Sequence, residues 1–373
     1  MASSIKIGIV TNIPSPYRIP LFNSIAERNN VSLTVYFMDV TEKNRSWSVS
    51  PAEWEFEYVF LDGSTWYSSI LDRSISVNWG VVPRFRKASH DVIVVGGYNH
   101  TTCWITFAYS KFSGTPVVPW SGAWSGSIRI NNLVMNMVRQ KFTQLGQAWI
   151  AYGSRSASAL SSWGADESRT HIGINTVSVE KFRGAAESYS HELAEDKFTL
   201  LYVGQLIARK NVELVLDALE SIPKSDIQFI VVGDGPRESY LRSRADTLEN
   251  SVEFKGFVER DQLYSYYTEA DAFILPSKNE VWGLVVNEAL ACGTPVLVSD
   301  QCGCAPDLIR EGFNGSIFQP DEQDNLMETL EELVAGSQTF ASPGQIRKDA
   351  VQRFDIDASV DGFIRACRDA VVQ

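Results

Sequence analysis

No run in the 373-residue sequence approaches the ~20 apolar residues that a membrane-spanning helix needs, so a helical integral membrane protein is not expected. A charged-then-apolar leader is also missing. MASSIKIGIV passes directly into a strand-like segment, and a cytoplasmic protein is expected. Cysteine is scarce: the five residues at 103, 292, 302, 304 and 367 are odd in number and scattered, which speaks against a disulfide framework and for reduced thiols. Histidine is scarcer still. Its four copies are dispersed, and Cys302-Gly-Cys304 has no second Cys/His pair at zinc spacing, so no metal site is expected. Short-period repeats and low-complexity tracts are lacking as well.

What is present is ample core material, 44% hydrophobic and 11% aromatic, in a chain long for one globule; two domains are the natural expectation. The net charge of −12 is unevenly shared. Residues 1–184 hold 17 Lys+Arg against 12 Asp+Glu (+5), and residues 185–373 hold 16 against 33 (−17). The first half is therefore the one suited to an anionic surface or acceptor, unless the difference is drift in surface charge.

From residue 198 onward, β-branched runs alternate with amphipathic segments: FTLLYV, NVELVLDALESI, IQFIVV, PRESYLRSRADTL, VEF, DQLYSYYTEA, DAFIL. This is the rhythm of a parallel sheet with crossover helices, and it continues through GLVVNEALA, PVLVS, APDLIR, GSIF and EQDNLMETLEELV. The first half repeats it less regularly, with IKIGIV, VSLTVYF, DVIVV, PVVP and AWIA as strands. Its helices fall through PLFNSIAER, through TTCWITFAYSKF and near 128–145. Between them, TVSVEKFRGAAESYSHELAED shows no strand signal and little apolar periodicity, which puts the domain boundary at about residue 183. The expected fold is α/β, two Rossmann-like doubly wound domains, 1–183 and 184–373, with a C-terminal helix at about 356–373 packing back on the first. Such domains bind ligands at the carboxyl ends of their strands, and a ligand serving both would sit in the cleft between them.

The conspicuous polar residues follow strands. After FTLLYV, Gly204 permits a tight exit, and Arg209 and Lys210 stand where the next helix opens. Ordinary surface charge opening a helix is the alternative, but cations there oppose the helix dipole unless an anion is bound, so contact with a diphosphate is expected. Gly233-Asp234-Gly235-Pro236 follows IQFIVV but lacks the third glycine of a dinucleotide fingerprint, so a turn feeding a helix capped near Asp234 or Pro236 accounts for most of it. After DAFILPSKN, Glu280 lies in a loop and Gly283 opens a helix whose first N–H groups, at Gly283, Leu284 and Val285, are free for a phosphate. Glu288 sits inside that helix among apolar neighbours, where a carboxylate needs hydrogen-bond donors. Sugar hydroxyls would serve. Alternatively, Glu280 merely complements a helix N-terminus and Glu288 faces solvent.

This combination resembles the retaining glycosyltransferases of family 4, two-domain GT-B proteins with two glutamates in an E-x7-E motif, here Glu280-VWGLVVN-Glu288 followed by ALACGTPVLVSD. VGDGP, VEFKGFV, GxxPDLI and GFNGSIF fall at matching places over residues 198–320, and NIPSPYRIPLFN and INTVSVEKF match more loosely. The resemblance implies transfer of a sugar from a UDP- or GDP-linked donor to an acceptor hydroxyl in polysaccharide, lipopolysaccharide or other glycan assembly. No metal or other cofactor and no nucleic-acid partner are implied. Arg209 and Lys210 would neutralise the diphosphate, Glu280 would face the transferred sugar, and Glu288 would take the ribose hydroxyls. Gly204, Gly233, Phe257, Val258, Gly283, Leu284 and Val285 would line the donor. Departures occur where relatives often have G-R-L and this chain has Gly204-Gln205-Leu206, and where a first-domain histidine is usual near PVVPWSG. Arg18, His100 and Ser121 are the first-domain candidates. Two other readings share the plan: a sugar-nucleotide epimerase or hydrolase, and a catalytically silent nucleotide-sugar-binding subunit.

For the acceptor, a sugar or a lipid-linked glycan is expected. Trp47, Trp54, Trp66, Trp79, Trp104, Trp120 and Trp124 crowd the first half, where they could stack on sugars or meet lipid, although core packing is the commoner use. Ile130, Leu133, Val134 and Met137 recur at helical spacing beside Arg129, Arg139 and Lys141. A core-facing helix is the commoner outcome of such spacing; peripheral contact with the inner face of the cell membrane is the other.

Overall fold

The structure, a computed structural model, describes residues 4–41, 50–68, 73–189, 197–222, 227–321 and 323–372. The chain forms two compact units, one of residues 1–124, 128–175 and 356–373, the other of 125–127 and 176–355.

In the first unit the strands are β1 (Ile5–Thr11), β2 (Val31–Phe37), β3 (Glu57–Phe60), a hairpin of β4 (Ser64–Ser68) and β5 (Arg73–Val77), then β6 (Val92–Gly96), β7 (Val117–Ser121), β8 (Trp149–Ala151) and β9 (Thr170–Ile172). Seven of them make a parallel sheet in the order β3-β2-β1-β6-β7-β8-β9, and β4-β5 form a separate antiparallel pair. The runs IKIGIVT and VIVVG are apolar and buried apart from the exposed Lys6 near the start of the first, the terminal Thr11 and the half-buried Gly96 at the end of the second, because both faces are covered. Alternate residues go to opposite sides: Ile7, Ile9 and Val94 join Phe22, Val360 and Phe363, whereas Val10, Ile93 and Val95 join Phe85, Phe107 and Phe142. The order reverses between β1 and β6, the switch point where open α/β sheets present their ligand crevice.

The second unit holds β10 (Phe198–Val203), β11 (Ile227–Val232), β12 (Ser251–Gly256), β13 (Ala272–Leu275), β14 (Val296–Ser299) and β15 (Gly315–Phe318). All pair in parallel in the order β12-β11-β10-β13-β14-β15, with the switch point between β10 and β13. Each strand coincides closely with a run picked out above.

Several expectations change. The stretch expected to lack periodicity contains a helix, Val179–Ser188, which buries Val179, Phe182 and Ala186 and packs against the helix Leu284–Cys292; its residues 190–196 lie outside the described residues. The units accordingly divide at Asn175/Thr176 rather than at 183, because Thr176 and Val179 are hydrogen-bonded to Phe354 O and to the Asp355 carboxylate. Residues 356–373 group with the first unit. The helix expected near 128–145 spans only Leu133–Gln144, and its spaced apolar residues Ile130, Leu133, Val134 and Met137 are exposed, not core-facing. Arg237, not Asp234 or Pro236, precedes the helix Glu238–Ala245. Among the tryptophans, Trp120 and Trp124 are buried and Trp66 and Trp79 exposed, while Trp47 lies outside the described residues. No described helix is long and apolar enough to cross a membrane.

Candidate active site

The exits of β10 and β13, side by side at the second unit's switch point, carry the charged residues singled out above. Arg209 and Lys210 occupy a short 3-10 turn, Ala208–Lys210, and the following helix opens only at Val212 after Asn211 takes a left-handed conformation at φ 56°. The two cations thus stand before the helix, not on its first turn. Both reach across to Glu280: Lys210 Nζ donates to Oε2, and Arg209 Nη1 donates to the same oxygen at 3.1 Å and to Asn279 O at 3.2 Å. Glu280 itself is fixed by backbone bonds to Gln301 O and from Gly303 N–H. Burial alone would raise its carboxyl, but Lys210 and Arg209 outweigh burial and hold it below its ordinary value of 4.5. A carboxylate and two cations therefore share one nearly dry spot.

Around it, Gly283 adopts φ +106° and caps the helix Leu284–Cys292. Val286 N–H returns to Gly283 O at 2.9 Å, and the N–H groups of Leu284 and Val285 have no backbone acceptor among the described residues, as helix termini require. Three further buried polar atoms at these exits, Arg209 Nε, Asn211 Nδ2 and Ser277 Oγ, have no protein partner. Buried polar groups of this kind are ordinarily satisfied, so an anion or water fits the place. Gly204 and Gly233 follow β10 and β11 at φ +156° and +129°, Gly204 N–H bonding Val232 O and Gly233 N–H bonding Gly256 O. Beyond β12, Phe257 is exposed and Val258 half-buried.

Glu288 belongs to a separate network. It is buried, takes a hydrogen bond from Tyr267 OH at 2.9 Å on Oε2, and has Arg260 Nη2 3.6 Å from Oε1. Its donors thus come from the protein, and it does not face solvent. Burial raises its carboxyl above the ordinary 4.5, with Arg260 and Tyr267 opposing only in part. Sequence reasoning missed Tyr267 and Arg260. A signal existed for the tyrosine: Leu263 and Tyr267 stand four apart on the buried stripe of Leu263–Glu269, and a buried Tyr hydroxyl needs a partner.

A carboxyl raised in the folded state favours folding while protonated; that contribution is complete below 4.5 and is lost as pH rises through the raised value. Glu288→Gln never carries the charge. Its melting temperature is therefore expected to gain on that of the wild-type chain as pH rises from 4.5 through the raised value. Thermal scans across that range check this, and a pH-independent difference would contradict it.

In the first unit, Arg18 lies beyond β1. Its guanidinium donates to Thr11 Oγ1 at 2.5 Å and to Tyr152 OH at 2.9 Å and lies over the Trp120 ring at 4.6 Å. Ser121 closes β7 and accepts from Ala123 N–H at 3.2 Å. His100 precedes the helix Thr101–Ser113, and its Nδ1 accepts from Ser76 N–H at 3.2 Å, which ties it to the β4-β5 hairpin. Arg18 gathers the ends of β1, β7 and β8; His100 is held elsewhere. No His/Cys/Asp/Glu group among the described residues is arranged to hold a metal.

Two parallel sheets, each doubly wound, with a charged cluster at a switch point, define a protein of the GT-B fold. Anabaena Alr3699/HepE, solved in complex with UDP, superposes with a TM-score of 0.72 at 18% identity over 97% of this chain and 98% of that one. Residues 185–350, within the second unit, match the family described as glycosyl transferases group 1. The chain is 28% identical over 216 residues to the sulfoquinovosyl transferase SQD2 of Arabidopsis thaliana, covering 57% of this chain and 40% of that protein. It is likewise 28% identical over 233 residues to the D-inositol 3-phosphate glycosyltransferase of Thermobifida fusca, covering 58% and 54%. It thus spans about half or less of the length of these curated relatives.

Proposed function

We propose that the chain is a retaining, metal-independent glycosyltransferase of family 4, which moves a hexosyl group from a UDP- or GDP-linked donor to a hydroxyl of a sugar or lipid-linked glycan. The observation that carries this is the convergence of Lys210 and Arg209 on Glu280 at the β10/β13 switch point, beside the open N–H groups of Leu284 and Val285. The two cations and the helix start receive the diphosphate, Phe257 and Val258 lie against the base, Glu280 orients the sugar, and Glu288, steadied by Tyr267, keeps lone pairs for the ribose. As the bond from the anomeric carbon to the diphosphate oxygen breaks, the acceptor oxygen bonds to that carbon on the same face and its proton passes to the departing diphosphate. Lys210 and Arg209 offset the charge that develops there, the work a metal ion does elsewhere. The UDP in the Anabaena structure supports a uridine donor. A place in glycan assembly on the cytoplasmic face of the membrane accords with this chemistry.

The test incubates the full chain with UDP- and GDP-linked sugars in excess chelator, with and without an acceptor panel. The matching donor is expected to raise the melting temperature, since a ligand at a hundred times its Kd adds about 2.7 kcal/mol. Nucleoside diphosphate should appear only with acceptor, and the donor's anomeric configuration should persist in the product. Release without acceptor would indicate a hydrolase, an altered sugar an epimerase, and binding without turnover a silent subunit.

A further inference from the structure

The helix Leu133–Gln144 wears its amphipathic pattern reversed. Leu133, Val134 and Met137 are 77%, 67% and 60% exposed, whereas Arg139 on the opposite side is only 3% exposed. Arg139 holds this arrangement in place, donating to Ile130 O at 2.6 Å, to Asn136 Oδ1 at 2.7 Å and to Tyr98 OH at 3.2 Å. Asn132 caps the helix by accepting from Met135 N–H at 2.9 Å. Ile130, just ahead of the cap, is exposed too. The aliphatic face is thus fixed outward by a buried cation, not left over by loose packing.

Its stretch of sequence carries charge of one sign. Between Asp91 and Asp166 the sequence has no Asp or Glu and five Lys or Arg. Two of these, Arg129 and Lys141, are exposed beside the aliphatic face, Lys141 one turn beyond Met137. We propose that this face docks on an anionic lipid bilayer, the side chains of Ile130, Leu133, Val134 and Met137 entering the acyl boundary while Arg129 and Lys141 meet the headgroups. A second copy suits it less, because the chain's net charge of −12 makes copies repel. A protein partner suits it less as well: flexible aliphatic side chains lack the aromatic anchors that dominate protein interfaces. The surface lies wholly within the first unit and does not depend on which sugar is transferred.

The experiment is co-sedimentation of the full chain with phosphatidylglycerol/phosphatidylcholine vesicles and with phosphatidylcholine alone, at low and high salt. Binding is expected to the anionic vesicles and to weaken steeply with salt. The double variant Leu133→Gln/Met137→Gln should lose about tenfold in partition for each apolar side chain removed. Arg129→Gln/Lys141→Gln should lose about fivefold per cation at low salt and little at high salt. All four positions are exposed, so melting temperatures should be unchanged, and that is measured alongside. No binding at low salt, equal binding by the Leu133/Met137 variant, or a concentration-dependent dimer that this variant abolishes would overturn the proposal.

Discussion

Glu280→Gln is expected to bind a nucleoside diphosphate more tightly than the wild-type chain while transferring sugar about 10²–10³-fold more slowly, a loss of about 3–4 kcal/mol in the barrier. The pairing follows from where the charges of Arg209 and Lys210 go. Both donate to the same carboxylate oxygen, and the Glu280 and Lys210 side chains are only 13% and 11% exposed, so the interaction is scarcely screened by water. A diphosphate must take those donors from Glu280 and approach a negative charge to do so. Removing the charge lifts that competition, and a tenfold gain in affinity corresponds to about 1.4 kcal/mol. The same change leaves the buried Lys210 and the half-buried Arg209 without their counter-ion in the empty protein, at a cost of about 3–5 kcal/mol. A bound diphosphate restores it, so UDP should raise the variant's melting temperature by more than the wild type's. Lys210→Ala has the opposite binding signature, with weaker UDP affinity and a similar loss of transfer. Because Glu280 is held below 4.5, it is charged and competing throughout the neutral range; its stabilising bridge is complete above 4.5 and lost only as pH falls through the lowered value. Calorimetric titration with UDP and initial rates check both variants. Weaker UDP binding by Glu280→Gln, or transfer near the wild-type rate, would refute the assignment.

The second unit was legible because its physics is local. A parallel strand covered on both faces must be a short apolar run, and FTLLYV, IQFIVV, DAFIL and PVLVS each became a strand within a residue or two. The switch-point loops were legible for a related reason: charge directly after such a run has only the strand exit to occupy. Less could be read where partners are distant. Nothing near Glu288 in sequence announces Tyr267, 21 residues back, so its donors looked as though they must come from a ligand. Asn211 could not be seen as left-handed, and that single residue moves Arg209 and Lys210 off the helix and toward Glu280. The β4-β5 hairpin escaped notice because Trp66 and Tyr67 lie exposed between serines and threonine, without a buried alternation to mark it. The helix Leu133–Gln144 shows the limit of periodicity: spacing identified a face, but only the buried Arg139 decides which way that face points.

Gly233→Ala is expected to be the most destabilising single-methyl change in the second unit, for a reason distinct from any nucleotide motif. At φ +129° an L side chain is already strained, and a Cβ there would lie 2.0 Å from Gly204 O, a backbone atom with little room to retreat. Gly204 N–H is tied to Val232 O, and Gly233 N–H to Gly256 O at 2.7 Å, so yielding at either point disturbs the exits of β10, β11 and β12 together. A cost of about 3 kcal/mol or more follows from strain plus overlap. Gly256→Ala separates the two contributions. Its φ of +69° is also left-handed, but a Cβ there meets nothing within 4 Å, so only the conformational part, about 1–2 kcal/mol, should appear. Thermal melts of the two variants side by side should therefore show Gly233→Ala falling much further, with UDP affinity falling too because the β10 exit carries Arg209 and Lys210. Equal losses would mean that the close approach of the two loops is not what demands a glycine.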